Sequence, residues 1–347
     1  MPASNVLLAE GDFLRSPAWF PLRLENDDAV TVVKLDEAAY VGASFLDERI
    51  LSLQYPQTTC AVATICAAAA NLAPRAHYVF HTGHVGSTLI SRLIGAHEGF
   101  FSLREPALLR KLAGESSPQF CAVTADTVAN LKAVLAIFAR TWRTNQRAVI
   151  KPTSFVSELA EVILGGEDRP AAIFMFATPL NYIRGILGGP NSRVETTALA
   201  PARQRRLVRR LGGMEWNSNP RSEGEHVAMS WLCEMTALHQ AAVRFSSQVR
   251  WVNFDAFLNE PFSQLQSIFR TLGAIPSNSE IEALVTGSTM RQYSKAPEHA
   301  YDAALRREVL RSADYEHGME IKRGMDWLAA VAKNYPPAAA ALQAATR

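Results

Sequence analysis

Residues 76–92 read AHYVFHTGHVGSTLISR, and the fold turns on this stretch. Tyr78, Val79 and Phe80 form a short apolar run that ends in a small turn from Thr82 to Gly86. Two hydroxyls come next, Ser87 and Thr88, and then apolar residues at helical spacing: Leu89, Ile90, Leu93 and Ile94. A strand that turns through glycines into a helix makes an anion cradle. The free N–H groups of the helix N-terminus point into the turn, and the helix dipole favours negative charge there. Glycine lets the backbone approach the anion closely and take positive φ. The candidate anion-binding set is Thr82, Gly83, His84, Val85, Gly86, Ser87 and Thr88. The other reading of the same residues is an ordinary turn with a Ser or Thr N-cap. A nucleoside-triphosphatase loop would carry Lys directly before the hydroxyl pair; Gly86 stands there instead.

Outward from this loop the pattern repeats as strand, turn and helix. Arg147–Lys151 (RAVIK) reads as a strand, 154–164 as a helix, and the apolar run AAIFMFA (171–177) as a strand covered on both faces. Helical patterns occupy 180–187, 224–245 and 261–272, with a strand at 249–254 between the last two. The class is α/β: three layers, a mainly parallel sheet with helices on both faces, whose ligands bind at the carboxyl ends of the strands. Residues 1–75 read as an N-terminal extension or subdomain, with β-like runs at 30–35 and 40–41, and residues 76–347 as the main domain, closing in a helical segment.

Composition narrows the function classes. The chain has 347 residues, 48% apolar and 20% charged, as expected for a globular protein with a sizeable core. A formal charge of +2 gives no bulk attraction to nucleic acid. The four cysteines (60, 66, 121 and 233) contain no CxxC pair, which argues against structural zinc and against a disulfide framework. Glu10 and Asp12 stand early and no basic-then-apolar leader is visible, so a cytoplasmic setting with reduced thiols is expected. The longest uncharged run, 58–74, is short for a membrane span and reads as a buried helix.

The cradle and the segments downstream of it resemble the sulfotransferase family. His84, Val85, Gly86, Ser87 and Thr88 fall on the family's first motif: a basic residue, a small residue, Gly and two hydroxyls. LREPALL (103–109) is similar to the "REP" stretch of bacterial and tyrosyl-protein members, and IKPTS (150–154) to the "dKTP" strand end. WLCEMTALHQAA, then VRWVNFDAFLNEP, is similar to the late helix, strand and acidic segment. YSKAPEH (293–299) has a counterpart in bacterial members. The resemblance spans roughly 76–330. It implies a P-loop kinase-like fold and transfer of a sulfuryl group from PAPS, the activated sulfate donor, to a hydroxyl or amine acceptor, with no metal.

By the same resemblance His84 stands where the family has Lys or Arg, and Glu105 is the candidate general base that accepts the acceptor's proton. Lys151, at a strand end, faces the edge where developing negative charge needs stabilising. The family holds the donor's 3′-phosphate with an Arg and a Ser; by position these are Ala177 and Gly185, whose side chains cannot bind phosphate. Arg184 and Lys295 are the candidate replacements, with Lys322 and Arg323 further along. His81 could share the part of His84 or act as a base. The arginines of ARQRRLVRR (202–210) read as a solvated basic helix face, and Trp231 as core. Two alternatives stay open. One is an inactive or weakly active protein of this fold that binds a phosphorylated ligand or partner; the other, an ATP-dependent kinase, lacks the Lys. The acceptor itself is not legible.

Overall fold

A computed structural model describes residues 8–53, 55–114, 125–213, 219–292 and 302–346. Five strands form a parallel sheet: β4 (Ala76–His81), β5 (Phe100–Arg104), β6 (Arg147–Lys151), β7 (Ala172–Phe176) and β8 (Val249–Asn253). Their order is β5-β6-β4-β7-β8. The first strand in sequence is therefore central, and the connections leave it on both sides. This puts the loop after β4 at a topological switch point, where open α/β sheets bind ligands.

Register explains how both faces are covered. Along β4, β6 and β7, Val79, Val149, Ile173 and Met175 join one apolar cluster, with Leu89, Ile183, Trp231 and Ile268 from the helices. The alternate residues Tyr78, Phe80, Ile150 and Phe174 join a second cluster. Strands apolar on both sides need helices on both sides, as the run at 171–177 predicts.

An antiparallel sheet of β1 (Trp19–Leu24), β2 (Ala29–Lys34) and β3 (Gln57–Ala61) precedes the parallel one. Its apolar side, with Phe20, Leu22, Val30 and Val32, packs into the second cluster. Two buried arginines tie this part to the parallel sheet through carbonyl oxygens. Arg140 donates to Phe13 (3.0 Å), Ser16 (2.8 Å) and Trp19 (2.9 Å). Arg104 donates to Ala43 (2.7 Å), Val41 (3.1 Å) and Tyr40. Burial pulls Arg104 down to about 9 and Arg140 to about 10, so both stay charged at neutral pH.

Three sequence expectations need correction. The pair 40–41 lies in a helix, Glu37–Gly42, because Asp36 caps it by accepting the Ala39 N–H at 2.7 Å. The uncharged run 58–74 splits into the end of β3 and the helix Val62–Ala70. The arginines of 202–210 are a solvated face only at Arg205 and Arg209. They lie on the helix Pro190–Arg210, where Arg203 and Arg206 are buried. Arg203 pairs with buried Glu234 at 2.8 Å, Arg206 donates to the carbonyls of Phe155 (2.7 Å) and Ala113, and Arg209 and Arg210 both hold Glu158. No helix among the described residues is long and apolar enough to cross a membrane.

One core group gives stability a pH dependence. His77 on β4 is buried and accepts the Ala171 N–H at Nδ1 (3.1 Å). Burial, then the charge of Arg147, lowers its pKa to about 4. The unfolded chain binds this proton near pH 6.5, so stability falls as pH drops from there toward 4. Denaturant melts at pH 7 and pH 5 are expected to differ by about 2 kcal/mol more in the native protein than in His77→Asn, which keeps an acceptor but cannot titrate.

Candidate active site

The loop after β4 has an unusual backbone. Gly83, His84 and Gly86 all take positive φ, at 97°, 52° and 68°. Gly86 is the N-cap of the helix Ser87–Gly95 and supplies no side-chain cap. The ordinary Ser/Thr cap is thereby excluded: Ser87 and Thr88 lie inside the first turn, and its N–H groups have no capping side chain. A Cβ on Gly86 would lie 2.0 Å from the Phe254 ring, so glycine is required by close approach as well as by φ.

Buried polar atoms around the loop lack partners. The hydroxyls of Thr82 and Thr88 are fully enclosed and bond to nothing among the described residues. Such groups are uncommon, since an unsatisfied buried polar atom costs about 1–3 kcal/mol. An oxyanion seated on the helix N-terminus is the kind of ligand that fits this donor set.

His81 shapes the loop and is not free to act as a base. Its Nδ1 accepts the Gly83 N–H at 3.0 Å, and its Nε2 meets the Pro152 carbonyl at 3.0 Å. Those two partners fix a neutral imidazole protonated at Nε2. His84 turns toward the helix Pro190–Arg210, with Nδ1 3.0 Å from Ser192 Oγ and Nε2 3.3 Å from Glu195. A carboxylate at that distance favours the imidazolium, but it also balances the charge that a bare cation would offer an anion.

The structure brings Glu105 and Lys151 together at the ends of β5 and β6. Lys151 is fully buried, and its ammonium pairs with the Glu105 carboxylate. The Glu105 N–H donates to the Lys151 carbonyl at 2.6 Å. Glu105 has φ of 52°; it and His84 are two of three non-glycine residues with positive φ among those described. Left-handed backbone in such residues is costly and gathers at functional sites.

A second layer supports the loop from behind. Ser154 Oγ lies 3.4 Å from where a Gly83 Cβ would sit and accepts from Arg203 at 3.0 Å. Burial raises the Cys233 thiol to about 11, which removes it as a nucleophile.

On the other side of the cradle, Phe254 connects to a polar network that sequence reading missed in part. The Arg306 guanidinium sits 5.4 Å from the Phe254 ring centre and donates to Asp255 at 3.0 Å. Asp255 also accepts from Asn181 at 2.9 Å. Arg184 donates to Asn181 (3.1 Å) and Asp314 (2.7 Å). Arg306 lies 3.2 Å from a Cβ placed on Gly185, so the buried guanidinium fills the space beside that glycine. Nothing in the sequence around Arg306 marks it; only the packing of the helix Ala303–Asn334 on the helix Pro179–Leu187 brings it there. The Ala177 carbonyl accepts the indole N–H of buried Trp231 at 3.0 Å. Lys322 and Arg323 lie mid-helix, held by Asp326 (2.5 Å) and Glu320 (2.6 Å), away from any such role. Lys295, with the rest of YSKAPEH, lies outside the described residues. No group of three or more potential metal ligands occurs among the described residues.

Among known proteins, no family model and no curated protein matches the chain. The solved structures that it is similar to include sulfotransferases and retinol dehydratase. A sulfotransferase domain from the curacin biosynthetic pathway is 14% identical, with a TM-score of 0.40, over 74% of this chain and 98% of that one. Sulfotransferase STF1 of Mycobacterium tuberculosis is 12% identical, with a TM-score of 0.43, over 72% and 82%. Retinol dehydratase, solved with androsterone and the inactive cofactor PAP, is 12% identical, with a TM-score of 0.34, over 76% and 82%. The fold rests on the strand order and register.

Gly86→Ala is expected to destabilise the protein by about 3 kcal/mol, through positive φ and overlap with Phe254. Gly86→Ala with Phe254→Ala should cost less than the sum of the two single changes in denaturant melts, because the pair shares one space.

Proposed function

We propose that this protein transfers a sulfuryl group from PAPS to a hydroxyl or amine acceptor. One observation carries the reading: a helix N-terminus without a side-chain cap follows a left-handed loop, its Thr82 and Thr88 hydroxyls have no partner among the described residues, and the neighbouring strand β6 ends in the buried Lys151 that pairs with Glu105. When bound, PAPS would supply the sulfur–oxygen–phosphorus linkage whose cleavage drives transfer, so the chain must position groups and stabilise charge.

Thr82, Gly83, His84, Val85, Gly86, Ser87 and Thr88 would hold the 5′ side of the donor through loop amides and hydroxyls. Lys151 would stabilise negative charge on the departing phosphate oxygen, assisted by His84 in its imidazolium form. Glu105 would accept the proton of the attacking hydroxyl. Lys151, buried behind it, would orient that carboxylate. Arg306 and Arg184 would take the place of the missing Arg and Ser at the 3′-phosphate, with Lys295 as a further candidate. The three free cysteines among the described residues, Cys60, Cys66 and Cys233, accord with a reducing, cytoplasmic setting.

A second reading has its own support: Arg306 and Arg184 each already hold an aspartate. A protein of this build could bind a phosphorylated ligand without turnover.

Calorimetry with PAP tests the donor site that the first reading requires. Micromolar binding is expected, weakened at least ten-fold in Arg306→Met; no heat at millimolar PAP sinks the donor assignment. Glu105→Gln should lower kcat by about 10²–10⁴ and leave PAP affinity within two-fold. PAP binding with no sulfuryl transfer to any acceptor would favour the second reading, and Mg²⁺-dependent ATP turnover would favour a kinase.

A further inference from the structure

Glu105 faces two ways. Behind it lies Lys151; in front of it opens a cavity of about 470 Å³ between the antiparallel sheet and the helix Ala107–Leu112. That volume falls in the range that encloses a small molecule. It is built largely by residues 22–24 and 47–49, which have no role in the donor site, and Thr153 also lines it. The Thr153 hydroxyl is buried and bonds to nothing among the described residues.

The charges around this cavity are uneven. Its walls carry Arg23, Arg49, Arg110 and Lys111 against Asp47, Glu48 and Glu105. Glu105 is already held by Lys151, and Glu25, outside the wall, shares Arg23 with Glu48. Counting these two neighbours as well leaves the same excess of one positive charge. Two of the cations are pre-organised. Arg49 lies 3.4 Å from the Phe45 ring centre and is gripped by Asp47, and Arg23 is held by Glu25 (2.8 Å) and Glu48 (3.3 Å). Lys111 is exposed and forms no ion pair among the described residues, though Glu25 feels its charge. Lys111 is next to Arg110 in the last turn of its helix, so both project from one end of the cavity wall.

We propose that this cavity is the acceptor subsite and that it takes a compact alcohol bearing an oxyanion: a phosphate, sulfate or carboxylate. The acceptor hydroxyl sits at Glu105 and Thr153, and the oxyanion at Lys111 and Arg110. This rests on the sulfuryl-transfer reading. In the step it serves, the acceptor oxygen forms a bond to sulfur, the bond from sulfur to the donor's phosphate oxygen breaks, and PAP leaves with that electron pair. The acceptor's proton passes to Glu105. Lys111 and Arg110 would anchor the oxyanion and so position the hydroxyl at Glu105, apart from the residues assigned to the donor's anions.

The test uses the full chain without donor and measures binding by NMR titration. The probes are glycerol 3-phosphate and glucose 6-phosphate, set against glycerol and glucose. Each phosphate is expected to bind at least ten-fold tighter than its neutral partner. Lys111→Glu should erase that preference and leave PAP affinity within two-fold of the native value. Equal binding of charged and neutral probes, no binding of either phosphate, or a preference that survives Lys111→Glu overturns the inference. Failure of PAP to bind the native chain would instead overturn the donor reading, so the two failures are told apart.

Discussion

The contact between Gly86 and the Phe254 ring is the constraint on which the rest of the site depends. It holds only because residue 86 has no Cβ, and it fixes the end of a left-handed loop over the N-terminus of the helix Ser87–Gly95. From the loop, hydrogen bonds through His81 reach the end of β6, where Lys151 lies buried. From Phe254 the packing continues to Arg306 and Gly185. One close approach therefore connects, through packing and hydrogen bonds, the anion cradle, the strand end that carries Lys151 and the arginine network.

Charge is arranged differently in the scaffold and in the site. Scaffold arginines such as Arg104, Arg140 and Arg206 end on carbonyl oxygens, and Arg203 is matched by buried Glu234. Neutralising a buried cation within the core in this way keeps the fold rigid, since removing one partner of a buried pair costs about 3–5 kcal/mol. In the site, the pairing of Glu105 with Lys151 joins two groups with opposite tasks, proton acceptance and charge stabilisation. Their pairing orients both before any ligand arrives.

Much of the fold was legible because its signal is local. The alternating clusters of β4 and β7 arise from AHYVFH and AIFMF, and the glycine turn and hydroxyl pair mark the cradle in one line of sequence. The pairing of Glu105 with Lys151 reflects the parallel register of β5 and β6, which places Arg104 opposite Lys151. What failed depended on contacts distant in sequence. Arg203, Arg206 and Arg210 look solvated until Glu234, the Phe155 carbonyl and Glu158 are brought against them. Arg306 is one arginine among several in a polar helix, far along the chain from Gly185. His84 keeps its place in the loop, but its partners, Ser192 and Glu195, come from a helix that no loop motif announces.

Whether the loop at 83–88 holds an anion through its backbone decides the function. The most direct measurement is an amide-resolved NMR titration of ¹⁵N-labelled protein with PAP. The amides of Gly86, Ser87 and Thr88 are predicted to shift first and saturate together, and those flanking Arg306 to shift after them. Saturable shifts confined to other parts of the molecule, with these amides unmoved, would contradict an anion cradle at this loop.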